Sequence, residues 1–155
     1  MIRKLLIFGM ASLAISALFA SAEIVPNGRP VDSKKWFHQT ILPNGTSWFS
    51  AEQQHYTNRI ENTFISDGVL TIKAKKEMFK DQGVIKKYTS ARLNSKFAFT
   101  YGRVEVRAKM PHGHGTWPAI WMLPKDIQEK GAYFEQKGFG TKPWPDCGEI
   151  DIIEH

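Results

Sequence analysis

Cysteine is nearly absent from this sequence, because Cys147 is the only one among its 155 residues. A single cysteine cannot form a disulfide within the chain, which excludes a small fold held together by disulfides. No segment repeats, and none is low in complexity. The stability of the fold must therefore come from a buried apolar core, and the length suffices for one domain at most.

Runs of basic residues are missing as well, although the formal net charge is +6. The lysines and arginines are scattered through strand-like segments and form no cluster. Such a distribution is typical of solvated faces and differs from the concentrated charge of a nucleic-acid interface. We therefore expect no nucleic-acid partner.

Long apolar runs are limited to residues 5–19, which contain no charge. This run follows a short basic head at residues 1–4 and precedes the small residues Ala-Ser-Ala at 20–22. That order is the pattern of a secretory signal peptide, and about 15 residues is short for a bilayer span, although a retained N-terminal anchor is the alternative. We predict cleavage after Ala22, a secreted or periplasmic mature protein, and no membrane association after residues 1–22 are removed.

Helical patterns are scarce. Only residues 126–137 could support a helix, and they are bracketed by Pro124 and Gly138 and interrupted by Gly131. Proline and glycine at these positions end or weaken a helix. We expect a loop with about one turn there.

Alternation of apolar and polar residues is the main structural signal. Residues 68–76 (GVLTIKAKK) and 102–110 (GRVEVRAKM) alternate with a period of two, which predicts antiparallel strands with one buried face. The turn signal Asp67-Gly68 precedes the first of them. Further strand candidates are apolar-rich runs at residues 36–40, 119–123 and 149–153. Short strands separated by turns indicate a β-sandwich.

The most informative stretch is GEIDIIEH, which carries Glu149, Asp151 and Glu154 with isoleucines between them. On a regular strand Glu149 and Asp151 share a face, and Glu154 points the other way. One extra residue, a β-bulge at Ile152 or Ile153, would return Glu154 to the same face. We predict such a bulge.

The spacing of the two glutamates suits glycosidic bond cleavage. Four strand steps place their Cα atoms about 13 Å apart, and leaning side chains close the carboxyl gap to roughly 5–7 Å, which overlaps the spacing of about 5–5.5 Å in retaining glycosidases. Crowded carboxylates push one pKa upward, which provides one acid and one base. The alternatives are an edge strand whose charges prevent aggregation and a carboxylate-rich cation site.

Two segments carry a specific family resemblance. Residues 144–155 (WPDCGEIDIIEH) closely resemble the active-site strand of glycoside hydrolase family 16, and residues 113–124 (GHGTWPAIWMLP) resemble the strand before it. Less specific matches upstream are residues 56–62, 89–92 and 97–105. The resemblance implies an all-β jelly-roll sandwich of the concanavalin or lectin type, with a cleft on its concave sheet.

The resemblance also implies roles for the three acids. Glu149 would be the nucleophile, Asp151 its helper and Glu154 the acid/base. The bulged spacing is similar to that of laminarinases, agarases and carrageenases, and residues 113–124 look most like laminarinases. The implied activity is retaining endo-hydrolysis of β-1,3- or mixed β-1,3/1,4-glucan through a covalent glycosyl-enzyme. An agarase or carrageenase of the same family, or a non-catalytic carbohydrate-binding jelly roll, are the alternatives.

Candidate substrate contacts are the polar and aromatic residues beside these motifs. Trp117 and Trp121 share a strand face and could stack on sugar rings, or lie in the core. Arg92 could hold a sugar hydroxyl, orient Glu149 or form a structural ion pair. The remaining candidates are Asn62, Trp144 and His155.

The chemistry requires no cofactor. His112 and His114 have a metal-like spacing, but no neighbouring cysteine or carboxylate completes a zinc site. By resemblance, the backbone carbonyl of Gly68 could bind a structural calcium. The expected partner is a β-glucan polysaccharide, and we expect a monomer.

By resemblance, we expect residues 23–155 to be the N-terminal part of the family's catalytic domain, since the sequence given stops at His155 within the acidic strand. A strand covered on both faces needs neighbours on both sides. We therefore expect the isolated segment to be unfolded or aggregated, and inactive.

Overall fold

The computed structural model describes residues 10–14 and 28–154. Its regular elements are ten strands and two single turns of 3-10 helix. The strands are β1 Met10–Ala14, β2 Trp36–His38, β3 Gln54–Tyr56, β4 Thr63–Ser66, β5 Val69–Ile72, β6 Lys75–Asp81, β7 Val84–Ser90, β8 Arg92–Ser95, β9 Trp117–Met122 and β10 Ile150–Glu154. The 3-10 turns are Phe49–Ala51 and Glu135–Lys137, and the second confirms the single turn expected in residues 126–137. Within the described ranges no helix is long and apolar enough to cross a membrane.

The strands form three sheets. The largest has five strands in the order β10-β9-β1-β8-β2, and all its pairings are antiparallel. A three-stranded sheet has the order β3-β7-β6, in which β3 and β7 run parallel. The third sheet is the β4-β5 hairpin. The five-stranded sheet contains the acidic strand β10 at one edge of the described strands.

Strand β1 comes from the predicted signal peptide. Met10 pairs with Asn94 on β8 and with Trp121 on β9, so Met10–Ala14 lies in the middle of the sheet. This differs from the expectation that residues 1–22 lie outside the fold. The physical reason is that β8 and β9 both present unpaired backbone groups to this gap, and an uncharged segment without proline can pair with them. The cleavage site after Ala22 lies outside the described residues, and cleavage stays a prediction.

Two hairpins have two-residue turns. Asp67 and Gly68 connect β4 to β5 with φ values of 51° and 79°, and Gln82 and Gly83 connect β6 to β7 with 50° and 80°. Two successive residues with positive φ match the twist of the strands they join, and glycine adopts this conformation without a steric penalty. The turn predicted at Asp67-Gly68 is confirmed.

The strand predicted at residues 102–110 is wrong, because the structure has no strand there. The alternation nevertheless survives in the exposure: Val104 and Val106 are half-buried, whereas Arg103 and Glu105 are exposed. Alternation selects which side chains are covered, but a strand also needs a hydrogen-bonded neighbour. Among the described residues, none pairs with this segment.

The core beneath the sheets is small and partly aromatic. Leu42, Trp48 and Tyr56 form its buried cluster, with the rings of Trp48 and Tyr56 4.6 Å apart in an edge-to-face arrangement. Such ring pairs contribute about 0.5–1.5 kcal/mol beyond their buried area. Leu93 of β8 is buried as well.

Candidate active site

A β-bulge in β10 places the acidic residues on the same face of the strand. Asp151 pairs with Trp121 of β9, but the next pair is Ile153 with Ile120, so β10 advances two residues while β9 advances one. Glu154 then pairs with Ala119. Paired residues of neighbouring strands share a face, and so do residues two apart. The predicted bulge is therefore confirmed, with Ile152 as the extra residue.

The bulge separates the acids from the isoleucines. Asp151 and Glu154 lie on the face that carries Trp121 and Ala119, and Glu149 lies two residues before Asp151. The reverse face carries Ile150 and Ile153, which pair with Met122 and Ile120. If the same sequence formed a regular strand without the bulge, Glu154 would share the face of Ile150.

The face that carries the acids borders a cleft of about 560 Å³. Aromatic, acidic and apolar side chains line it together, which is typical of a site that binds an extended polar ligand. Its lining includes Phe49, Glu52, Arg92, Trp117, Trp121, Trp144, Glu149 and Glu154. The cleft therefore unites Glu149 and Glu154 with four of the six predicted substrate contacts.

Each glutamate is held by an indole. Nε1 of Trp144 donates a hydrogen bond of 2.9 Å to Oε2 of Glu149, and Nε1 of Trp117 donates one of 2.9 Å to Oε1 of Glu154. The exposed fraction is 65% for Trp144 and 37% for Trp117, so neither is a core residue. An indole has no acceptor atom, and it therefore orients a carboxyl group without competing for its proton.

The electrostatics of the three acids are coupled. Partial loss of hydration raises the pKa of Glu149, although the side chain stays exposed, and the hydrogen bond with Asp151 and the charge of Asp151 raise this pKa further. The hydrogen bond from Trp144 lowers the pKa, and the charge of Glu154 raises it. Neighbouring carboxylates avoid ionising together, so a proton is retained within this group at a higher pH than in an isolated glutamate.

Arg92 forms an ion pair under the cleft. Its side chain is buried, and it donates to Oε1 of Glu129 at 2.8 Å, an oxygen that also accepts from Gln39 at 2.6 Å. The guanidinium lies 5.0 Å from the ring centroid of Trp121 and 5.5 Å from that of Trp48. Of the three roles open for Arg92, the ion pair is the one present in this structure.

Asn62 lies apart from the other predicted site residues. It is fully buried, and its Oδ1 accepts from Thr57 at 2.6 Å, while its Nδ2 donates to the Lys73 carbonyl and to Thr89, each at 3.0 Å. These hydrogen bonds join the segment between β3 and β4 to Lys73, which follows β5, and to Thr89 on β7. The substrate contact predicted for Asn62 therefore has no support in the structure, because the side chain does not line the cleft.

The structure leaves the roles predicted for His155 and Gly68 untested. His155 lies outside the described residues. Gly68 occupies an exposed hairpin turn, and among the residues that the structure describes no group of three or more His, Cys, Asp or Glu side chains could hold a metal ion.

Sequence reasoning missed one wall of the cleft, formed by the segment from Phe49 to Glu52. Phe49–Ala51 is a 3-10 turn between β2 and β3, and it contains no periodic pattern. A lone glutamate after an aromatic residue is the only local signal, and it is not specific. This wall can be identified only from the folded chain, because the residues that line the cleft with it are distant in sequence.

Comparison with known proteins gives a consistent result. Residues 49–155 match the family described as glycosyl hydrolases family 16. A β-glucanase from Rhodothermus marinus is 44% identical over 138 residues, which cover 87% of this chain and 42% of that protein. Glucan endo-1,3-beta-glucosidase A1 from Niallia circulans is 40% identical over 138 residues, covering 83% of this chain and 18% of that protein. The chain thus spans less than half the length of these relatives.

Solved structures agree with the sequence relatives. The crystal structure of a LamA variant from Z. galactanivorans with laminaritriose and laminaritetraose has a TM-score of 0.78 and 57% identity, covering 83% of this chain and 51% of that one. The catalytic domain of a laminarinase from Thermotoga petrophila RKU-1 has a TM-score of 0.66 and 39% identity, covering 83% and 47%. The predicted all-β jelly-roll sandwich is confirmed.

Proposed function

This chain belongs to glycosyl hydrolases family 16, and we propose that its full-length protein is a retaining endo-hydrolase of β-1,3- or mixed β-1,3/1,4-glucan. The observation that carries the proposal is the bulge at Ile152, which aligns three carboxyl groups along one face beside the cleft. The names of the β-glucanase and laminarinase relatives support the polysaccharide class.

The proposed first step forms a glycosyl-enzyme. The carboxylate of Glu149 attacks the anomeric carbon while the carboxyl group of Glu154 gives its proton to the leaving oxygen, so that the glycosidic C–O bond breaks as the new C–O bond forms. In the second step Glu154 accepts a proton from water, and the resulting hydroxide displaces Glu149. Two inversions leave the configuration of the sugar unchanged.

Asp151 assists the nucleophile in this proposal. It lies on the same face as Glu149 and shares a hydrogen bond with it. Glu149 must be a carboxylate to attack carbon, and a hydrogen-bond donor beside it would stabilise that form. After the glycosyl-enzyme breaks down, the returning negative charge on Glu149 is stabilised by the same hydrogen bond.

The tryptophans bind sugar in this proposal. Trp117, Trp121 and Trp144 line the cleft, and flat aromatic faces stack on the C–H groups of sugar rings. Because the indole groups of Trp117 and Trp144 also donate to the two glutamates, a stacked sugar would lie beside the catalytic carboxyl groups. Substrate binding and carboxyl orientation would then depend on the same side chains.

The charge of the cleft favours a neutral polysaccharide. Glu52, Glu149 and Glu154 line it, whereas its one cation among the described lining residues, Arg92, is paired with Glu129. Like charges repel strongly in a poorly solvated cleft. Sulfated or carboxylated glycans would therefore bind worse than a glucan, which disfavours the carrageenase alternative. The intact acidic triad disfavours a purely carbohydrate-binding role.

Export, assembly and cofactors are further parts of the proposal. We propose that the protein is exported by residues 1–22, acts as a monomer in the secreted or periplasmic space, and uses no cofactor for its chemistry. A structural calcium at the Gly68 carbonyl stays a prediction; if it forms, other oxygen ligands must join that carbonyl.

The test is hydrolysis of a polysaccharide panel by the full-length protein. We expect reducing sugar to be released from laminarin, with little release from agar and least from carrageenan. Proton NMR of the first product should show the β-anomer before mutarotation. An initial α-anomer would contradict the retaining mechanism, and laminarin binding without any cleavage would favour the carbohydrate-binding alternative.

A further inference from the structure

Strand β1 lies between two strands of the family match without being part of that match. It is hydrogen-bonded to β8 on one side and to β9 on the other. The family match covers residues 49–155, so it includes both neighbours and excludes Met10–Ala14. A strand in the middle of the sheet therefore comes from residues 1–22, the leader that we propose to be removed on export.

The register places β1 in the floor of the cleft. Met10 pairs with Trp121, which pairs in turn with Asp151 on β10. Ser12 pairs with Arg92 on the other side. Trp121 and Arg92 both line the cleft, and paired residues of neighbouring strands share a face. The backbone of β1 thus runs between the acidic edge of the sheet and the strand that carries the buried arginine.

Removal of the leader would leave a gap that the two neighbouring strands cannot close unaided. Without β1, the strands β8 and β9 are two strand spacings apart, which is about 10 Å, whereas a backbone hydrogen bond needs about 3 Å between its heavy atoms. Both strands would then present rows of unpaired N–H and C=O groups in the middle of the sheet. A mature protein with this sheet therefore needs another strand in the same position.

The longer relatives contain enough further chain to supply such a strand. The shared region covers only 51% and 47% of two solved relatives, so about half of each of those proteins lies outside it. A strand added to an open edge gains backbone hydrogen bonds that depend little on its sequence. In a full-length protein of similar size, the leader strand and a strand of the catalytic domain would compete for the same two edges.

We propose that residues 10–14 are an inhibitory leader strand, which holds the position between β8 and β9 in the precursor and prevents completion of the cleft until residues 1–22 have been removed. In the mature protein, another strand of the same polypeptide takes this position. The inference rests on the proposed export by residues 1–22, and it gives the leader a second role besides targeting. Cleavage then does more than release the protein, because it vacates a place in the sheet.

The experiment compares refolding of the full-length precursor with that of the mature protein, which begins at Glu23. Both are diluted from denaturant, and tryptophan fluorescence follows refolding, since Trp117 and Trp121 on β9 pair with β1. We expect the precursor to refold about tenfold more slowly, which corresponds to β1 holding the position in about nine of ten molecules. Laminarin hydrolysis, measured in parallel, should recover at the same rate as the fluorescence.

Two proline substitutions in the leader separate strand pairing from general apolar character. Ser12→Pro removes a backbone donor within β1, and a strand with neighbours on both sides does not tolerate that loss. The precursor that carries Ser12→Pro should therefore refold as fast as the mature protein. Ser16→Pro makes the same change beyond the end of β1 and should leave the precursor slow. If the precursor does not refold at all, recovery with Ser12→Pro supports the inference, and failure of this variant to recover overturns it.

Hydrogen exchange measured by mass spectrometry tests the pairing itself. The amides of residues 10–14 should be protected in the precursor, and Ser12→Pro should remove this protection. Equal refolding rates of precursor and mature protein, equal acceleration by both proline variants, or unprotected leader amides would overturn the inhibitory strand. If the mature protein refolds but cleaves no laminarin, the proposed function fails, whereas fluorescence and hydrogen exchange still decide the role of the leader.

Discussion

The two sides of the cleft are built in opposite ways. At β10 the carboxyl groups of Glu149 and Glu154, which are proposed to be catalytic, are exposed, and each is held by one indole. On β8 the guanidinium of Arg92 is buried, paired with Glu129 and close to aromatic rings. The difference indicates that the reactive groups contribute little to stability, whereas the supporting group contributes to stability and only indirectly to chemistry. Substitutions on the two sides should therefore separate activity from stability.

The largest effect is expected at the nucleophile. Glu149→Gln should lower kcat on laminarin at least about 10⁴-fold, because an amide cannot form the glycosyl-enzyme. The melting temperature should change little, since the side chain is exposed. Reducing-sugar release and thermal melting of the full-length protein measure the two quantities. Glu61→Gln is the matched control at an exposed site, and equal activity in both variants would remove the nucleophile assignment.

The second-largest effect should be a loss of stability when Arg92, on the β8 side of the cleft, is replaced. Arg92→Met leaves the carboxylate of Glu129 buried without its cation, which typically costs about 3–5 kcal/mol of unfolding free energy. Denaturant unfolding of the full-length protein measures this cost. The double variant Arg92→Met with Glu129→Leu should recover most of it, because no charge stays buried. A loss below about 1 kcal/mol in the single variant would show that the ion pair does not hold up the cleft.

A smaller loss of stability should follow from Asn62→Ala. Its buried amide has partners in Thr57, Thr89 and the Lys73 carbonyl, and leaving such groups unpaired costs about 1–3 kcal/mol. Because Asn62 does not line the cleft, KM for laminarin should stay unchanged. Asn58→Ala is the exposed control, and a raised KM in Asn62→Ala would restore the original prediction of a substrate contact.

The smallest expected effect is a shift in the pH dependence of kcat/KM. The hydrogen bond from Trp144 lowers the pKa of Glu149, so Trp144→Phe should raise that pKa further. Because Glu149 must be ionised to attack, the acidic limb of the kcat/KM profile should move to higher pH. Trp36→Phe, outside the cleft, should leave the profile in place. A shift to lower pH would show that the limb reports another group.

The acidic strand could be predicted from its sequence for a physical reason. Strand periodicity places Glu149 and Asp151 on one face without any knowledge of the partner strand. The odd spacing to Glu154 then requires one extra residue if all three acids are to act together, and the structure has it at Ile152. Local geometry was sufficient because the constraint is contained in six consecutive residues.

Other features could not be predicted because they depend on neighbours distant in sequence. Residues 102–110 alternate as clearly as any strand, yet no described segment pairs with them. Asn62 resembles a sugar-binding amide until the network around it is known. The wall formed by Phe49 and Glu52 has no periodic signal, and its meaning depends on its proximity to Arg92.

The extra residue in β10 makes the length of this segment more critical than most of its side chains. Replacing Ile152 by another residue keeps the count between the acids, whereas inserting one residue while the bulge is kept turns Glu154 to the reverse surface. Deleting Ile152 would instead remove the bulge and leave an even offset, which a regular strand also places on one face. A two-residue insertion would restore the orientation but move the acids about 6–7 Å further apart. Variation in this segment should therefore be common in residue type, and a change of length should be tolerated only where it keeps the acids on one face.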